Sequence, residues 1–206
     1  MAEVLEGIRL RNLGLADYAA TAQAMRAFTA RRAPETPDEI WLCEHPPVYT
    51  LGVGADASHG PRAANGIPVL RCERGGEITY HGPGQAVLYT LVDLARRGLK
   101  VKRFVWLLEE AVIELLGGRG ERKAGAPGVY VGGAKVAALG LRVSRGRAYH
   151  GLALNVDMDL APFAAIDPCG FPGLAVTQLR DLGFSDSVEQ AGSRLGKLLV
   201  ASLEHA

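Results

Sequence analysis

Cysteine is scarce in this chain, with three among 206 residues. Cys43, Cys72 and Cys169 are odd in number and widely spaced. A disulfide framework is therefore not expected, and a reducing cytoplasm is the default compartment. No Cys-x-x-Cys pair or paired histidine spacing is present, so the usual zinc signatures are missing and no metal is expected. An excess of one charge sign is lacking too: 23 Lys and Arg against 22 Asp and Glu leave a net charge of +1. General nucleic-acid binders are usually strongly basic, which disfavours that class. Long hydrophobic runs are absent. Phe104-Val-Trp-Leu-Leu108 is the longest glycine-free apolar run, far short of the roughly 20 residues that span a bilayer. The start, Met1-Ala-Glu-Val-Leu-Glu6, lacks the basic and apolar regions of a signal peptide. No membrane association is expected. A phosphate loop of the Gly-x-x-x-x-Gly-Lys-Ser/Thr type is also missing, so no ATP is expected.

What is present is apolar and glycine-rich. The chain is 48% hydrophobic, ample for a core, and its length fits one domain over 1–206. Residues 16–31 carry Tyr18, Ala22, Met25 and Phe28 at helical spacing. Residues 40–43, 48–51, 68–72 and 85–92 read as strands, with 52–66 as a loop. The clearest helix is 101–116, with Phe104, Leu107, Leu108, Ala111, Val112 and Leu115 on one face and Lys102, Arg103, Glu109 and Glu110 outward. Three strand-like segments follow at 128–131, 134–143 and 148–156, the last two joined by a hairpin at Ser144-Arg-Gly146. A short helix is expected over 161–166, another beginning near Val176, and a C-terminal one over 186–203. Short glycine turns between neighbouring strands favour an α/β fold of the α+β type. Its centre would be a mixed, largely antiparallel sheet flanked by helices.

Chemistry concentrates in a few places. Arg74-Gly-Gly-Glu-Ile-Thr-Tyr-His-Gly-Pro-Gly-Gln85 is too glycine-rich for a packed strand or helix. It reads as a loop where a ligand approaches the backbone between a few fixed polar groups; a tight structural turn is the bland alternative. Cys169 stands in Asp167-Pro-Cys-Gly-Phe-Pro-Gly173, a rigid turn unlike the apolar faces that hold structural cysteines. It reads equally as a positioned nucleophile or an incidental thiol. A nucleophilic thiol needs a neighbour that favours the thiolate, and His81, His150 and Lys135 are the candidates. Lys135 sits in the small apolar run 134–140, where it either faces solvent or is buried to pair with a thiolate. His150 reads equally well as a hydrogen-bonded structural residue.

Four blocks together resemble the octanoyltransferases of lipoate biosynthesis: Glu44-His-Pro-Pro-Val-Tyr-Thr-Leu-Gly52, the 74–85 stretch, Gly133-Ala-Lys-Val-Ala-Ala-Leu-Gly140, and His150-Gly-Leu-Ala-Leu-Asn155 followed by Pro168-Cys-Gly170. Thr90 departs from the family, which commonly has proline there. The resemblance implies a fold similar to biotin and lipoate protein ligases. It also implies transfer of an octanoyl group from octanoyl-acyl carrier protein to a specific lysine of lipoyl domains, those of 2-oxoacid dehydrogenases and the glycine cleavage H protein. By the same resemblance Cys169 is the acyl-accepting nucleophile and Lys135 the lysine that lowers its pKa. Arg74, Gly75, Gly76, Glu77, Ile78, Thr79, Tyr80, His81, Ala138, Leu139, Gly140, Gly151, Leu152 and Ala153 match its substrate-binding segments. A cytoplasmic monomer without cofactors is expected. The small residues Ala134, Ala137, Ala138, Gly140, Gly151 and Ala153 would leave an apolar slot for the acyl tail, so that Gly151→Leu should shorten the accepted chain. The cluster Arg96-Arg-Gly-Leu-Lys-Val-Lys-Arg103 is a docking candidate for an acidic carrier, or else a solvated surface. The rival readings are an ATP-using ligase of similar fold, an amidotransferase using a lipoyl-protein donor, and a non-enzymatic acyl-binding module.

Overall fold

The computed structural model describes residues 2–5, 7–56, 60–62, 65–167 and 173–206. Eleven strands and three α-helices are present among them: β1 Ala2–Leu5, β2 Ile8–Leu15, α1 Tyr18–Arg31, β3 Asp38–Glu44, β4 Val48–Leu51, β5 Val69–Arg71, β6 Ile78–His81, β7 Gln85–Asp93, α2 Val101–Leu115, β8 Glu121–Arg122, β9 Gly128–Val131, β10 Ala134–Ser144, β11 Arg147–Asn155 and α3 Val188–Glu204. The larger sheet has eight strands in the order β1-β2-β3-β7-β11-β10-β9-β8. Among the described strands its one parallel pair is β2–β3, and α1 supplies the crossover that such a pair requires. A second sheet, β5-β4-β6, was not foreseen as a separate layer.

β7 explains the layering. All nine of its residues are buried, because each face has its own cover. Ala86, Leu88 and Val92 point into the core under α2 and α3, while Val87, Tyr89 and Leu91 point toward Tyr18, Ala22 and Met25 of α1. This is the two-residue alternation of a strand read twice. The N-termini of α1 and α3 are capped by side chains. Asp17 accepts from the Ala20 amide at 2.8 Å, and Ser187 and Gln190 form a reciprocal capping box at α3. The β10–β11 hairpin turns on Arg145 and Gly146, at φ +51° and +77°, as a two-residue turn compatible with strand twist demands.

Three expectations are corrected. Residues 78–81 of the glycine-rich stretch form a fully buried strand, since their own side chains supply the packing that the flanking glycines lack. No helix begins at Val176, which forms a parallel bridge with Lys135 instead; the helical turn comes later, at Arg180–Leu182. Glu109 faces inward and is buried, because it accepts a hydrogen bond from the Gly128 amide at 3.0 Å.

The cationic cluster is also partly internal. Arg96 and Arg97 each reach the fully buried Asp38 carboxylate at 2.7 Å, and Arg32 pairs with it as well. Two of the five charges therefore hold the fold rather than face a partner. Burial by itself would raise the Asp38 carboxyl, but hydrogen bonds from the Asp93 amide, Arg97 and Arg32 outweigh it and hold the group below its ordinary range. A carboxylate lowered in the fold contributes stability that is present above the unfolded value of about 4 and is lost as pH falls below it, through the lower folded value. Asp38→Asn should thus cost about 3 kcal/mol or more at pH 7, since it leaves the fully buried Arg32 guanidinium uncompensated. Denaturant unfolding at pH 7 and in acid checks this: the gap between wild type and variant should narrow in acid.

Candidate active site

The α1-facing side of the large sheet carries a hollow roofed by β6 and the loop before it. Its floor is made of cross-strand neighbours: Ala138 opposite Ala153 opposite Val87, and Gly140 opposite Gly151 opposite Tyr89. Small residues on two adjacent strands keep this floor low. Arg74, Gly76, Glu77, Ile78, Thr79 and His81 line the opposite wall, with Tyr18 of α1, Leu139, His150 and Leu152 completing it. Twelve of the fourteen residues matched to substrate binding thus converge here. The two others do not. Tyr80 points to the far side of β6, against Tyr49 and Phe163, because adjacent strand residues alternate. Gly75 lines a neighbouring hollow and donates to the Leu141 carbonyl at 2.8 Å.

The acyl-slot expectation needs revision. Ala137 faces the α2 and α3 core, and Ala134 is not part of the lining. A side chain at Gly151 would meet the Leu88 carbonyl oxygen at 2.0 Å. Gly151 therefore permits close β7–β11 approach, and Gly151→Leu would break strand pairing instead of shortening a pocket.

Arg74 is buried. It donates to the Thr50 carbonyl at 2.6 Å and to the Thr50 hydroxyl at 2.9 Å. Among the described residues it has no carboxylate within ion-pair distance. Three histidines surround the inner end. His45 lies against Tyr18, His81 and Tyr89. Its Nδ1 is 2.6 Å from the Ala16 carbonyl, which only accepts, so Nδ1 carries the proton and Nε2 accepts from the Tyr89 hydroxyl at 2.6 Å. Burial lowers its pKa. Burial pushes His81 down to about 3, with repulsion from His45 adding to it, and His150 down to about 4, with Arg74 adding to it. These imidazoles are neutral at pH 7. His81 and His150 give the hollow an uncharged wall, and none of the three supplies the cation that a thiolate needs. His150 is held at φ +63°, and Thr90, the departure from the family pattern, donates its hydroxyl to the His150 carbonyl at 3.0 Å.

Ala138 and Thr79 also line a second, smaller space, shared with Gln85, Lys135, Asn155, Phe163 and Val176. Lys135 is 3% exposed, which excludes the solvent-facing reading. Its main chain is clamped by Ala175 and Thr177: the Lys135 amide donates to the Ala175 carbonyl at 2.8 Å, and the Thr177 amide donates to the Lys135 carbonyl at 2.9 Å. Its Nζ approaches the Pro127 carbonyl at 3.4 Å and lies 5.1 Å from the centre of the Tyr130 ring. Gln85 links this corner to the histidines, since His81 Nδ1 lies 2.7 Å from its Oε1 and its Nε2 donates to Asn155 Oδ1 at 2.9 Å. Cys169 lies outside the described residues. The chain before it is anchored by the buried Ile166, and the chain after it by the Ala175–Lys135–Thr177 clamp.

Several lining residues escaped sequence reading. Tyr18 and Tyr89 were legible only as core positions. Gln85 and Asn155 close two of the four blocks, which was the available signal. Among the described residues, no three His, Cys, Asp or Glu side chains converge as metal ligands would, and no helix is long and apolar enough to cross a membrane.

Residues 17–198 match the family model of the lipoyl protein ligase A/B catalytic domain. An octanoyltransferase of Aromatoleum aromaticum is 60% identical over 189 residues, 90% of this chain and 81% of that protein. One from Thiobacillus denitrificans is 61% identical over 184 residues, 88% and 84% of the two chains. Among solved structures, lipoate-protein ligase A bound with ATP superposes with a TM-score of 0.77 at 17% identity, covering 97% of this chain and 86% of its own. The biotin protein ligase of Aquifex aeolicus gives 0.54 at 12% identity, with coverages of 95% and 69%. The last two show a shared fold. With the family model spanning most of the chain and relatives at this identity, the chain belongs to the octanoyltransferases of the lipoyl protein ligase A/B catalytic family.

Proposed function

We propose that this acyltransferase moves an octanoyl group from octanoyl-acyl carrier protein to a lysine of lipoyl domains, through a thioester on Cys169. The observation that carries the reading is a lysine at 3% exposure in a small space that shares Ala138 and Thr79 with the small-residue hollow. A buried ammonium needs an anionic partner, and a thiolate is the one the reaction supplies.

The Cys169 thiolate attacks the carrier thioester carbonyl, and the tetrahedral oxyanion collapses with departure of the carrier thiolate. Lys135 gives that sulfur its proton. Exchanging one thioester for another has little driving force. A lipoyl-domain amine then attacks the Cys169 thioester, Lys135 takes up the proton it loses, and the Cys169 thiolate leaves. Forming an amide pulls the sequence forward, and both enzyme groups return to their starting states. An already activated donor needs no nucleotide. The neutral histidines and the Ala138–Ala153 floor suit the octanoyl methylenes, each contributing roughly 0.8 kcal/mol when buried. The lipoyl-protein donor of an amidotransferase is the competing reading, and a donor swap separates the two.

Incubating the protein with octanoyl-acyl carrier protein, without ATP, should give an octanoyl adduct by intact mass that hydroxylamine removes. Absence of the adduct would refute the reading. Since Ala138 lines both spaces, Ala138→Leu should shift preference from octanoyl toward shorter donors. Competition between octanoyl and hexanoyl carriers measures this, and an unchanged ratio would count against the slot.

A further inference from the structure

We propose that Glu109 is a positioning residue for Lys135, acting through the single peptide unit between Pro127 and Gly128. The inference rests on the proposed function, in which Lys135 handles the protons. The two ends of that peptide are held by opposite charges. Its carbonyl, on Pro127, receives Lys135 Nζ at 3.4 Å. Its amide, on Gly128, donates to Glu109 Oε1 at 3.0 Å. A trans peptide is planar, with N–H and C=O pointing opposite ways. Fixing the N–H therefore fixes where the carbonyl points.

Glu109 is well suited to the task and otherwise hard to explain. It is a carboxylate 7% exposed in the middle of α2, on the face that packs against the sheet, where an apolar residue would be expected. Its second oxygen meets Arg122 Nε at 3.3 Å, so its charge is compensated while the first stays on the amide. A hydrogen bond to a charged acceptor polarises the peptide, strengthening its carbonyl as an acceptor at the far end.

Gly128 supplies the space. It sits at φ +141°, and a Cβ there would lie 3.1 Å from Lys135 Cε and 2.7 Å from the Ala137 carbonyl. The lysine stem thus runs directly over this glycine, and any rotation of the peptide shifts the floor on which the stem rests. Backbone pairing with Tyr130 and the 175–177 segment holds the Lys135 main chain, and β9 and β10 shift register just beyond it, before Ala137. Backbone pairing acts on the main chain; the Pro127–Gly128 peptide adds a contact at the ammonium end of the side chain.

The test uses the full chain and steady-state transfer from octanoyl-acyl carrier protein. Glu109→Leu should lower kcat by about ten- to a hundredfold, the scale of a misplaced catalytic group, with KM for the carrier within about twofold. Glu109→Gln retains an oxygen for the Gly128 amide and should stay within about threefold of wild type in kcat. Glu109→Asp falls one methylene short and should behave like the leucine variant; it provides the test should the leucine variant not fold. Equal kcat losses in the Gln and Asp variants, or full kcat in folded Leu or Asp variants, would overturn the proposal. A wild-type protein that transfers nothing would instead indict the proposed function, so the two failures are distinguishable.

Discussion

Cys169→Ala will eliminate the octanoyl adduct and reduce transfer by on the order of 10⁴-fold or more, the scale seen when a covalent nucleophile is deleted. The reason is chemical: without the sulfur, the acceptor amine must attack the carrier thioester directly, in a ternary complex of three proteins, and the gain from splitting the reaction is lost. Kinetics give a second reading. Wild type should show parallel lines in a double-reciprocal plot when carrier and lipoyl domain are both varied, and any residual rate in the variant should not. Cys43 and Cys72 serve as internal controls. Cys43 is buried, and burial followed by the nearby Glu44 charge pushes its thiol up to about 12, which suppresses its thiolate at neutral pH. Full activity in Cys169→Ala would end the transferase account and favour a passive acyl-binding module.

Lys135→Met will lower kcat by about 10²–10⁴-fold, the usual contribution of a positioned proton-transfer group. Methionine fills much of the same space under Tyr130 and keeps the stem apolar, so the loss reads the ammonium and not a cavity. The same substitution should slow alkylation of Cys169 by iodoacetamide at neutral pH, followed by peptide mass spectrometry, because the thiolate loses its counter-charge. Unchanged alkylation together with unchanged turnover would separate Lys135 from the sulfur and remove the physical basis of the mechanism. Rescue of turnover by added small amines would strengthen it.

Periodicity made much of the fold legible before any coordinates. Tyr18, Ala22 and Met25 mark α1, and Phe104, Leu108 and Val112 mark α2, since a helix must bury one face. β4 matches its expected bounds because Glu44-His-Pro-Pro47 and Gly52 punctuate it on both sides. The hairpin was visible in Ser144-Arg-Gly146, for only a glycine-bearing pair turns so tightly. Other readings failed for a common reason. Glu109 sits beside Glu110 and looks equally exposed, yet the Gly128 amide and Arg122, both on strands, meet its carboxylate inside. Arg96 and Arg97 look like part of a docking surface, yet Asp38, more than 50 residues earlier, gathers both. Gly151 looks like room for a ligand and is room for the Leu88 carbonyl.

Local sequence therefore determined most of the elements, the family and the types of chemical group, because these depend on spacing within a few residues and on short contiguous blocks. Tertiary structure alone decided which side of each strand a group faces and what lies opposite it. Lys135 could have met water or the interior; the 175–177 segment pairs alongside it and Phe163, Gln85 and Asn155 share its space, contacts between distant stretches of chain that no local pattern encodes.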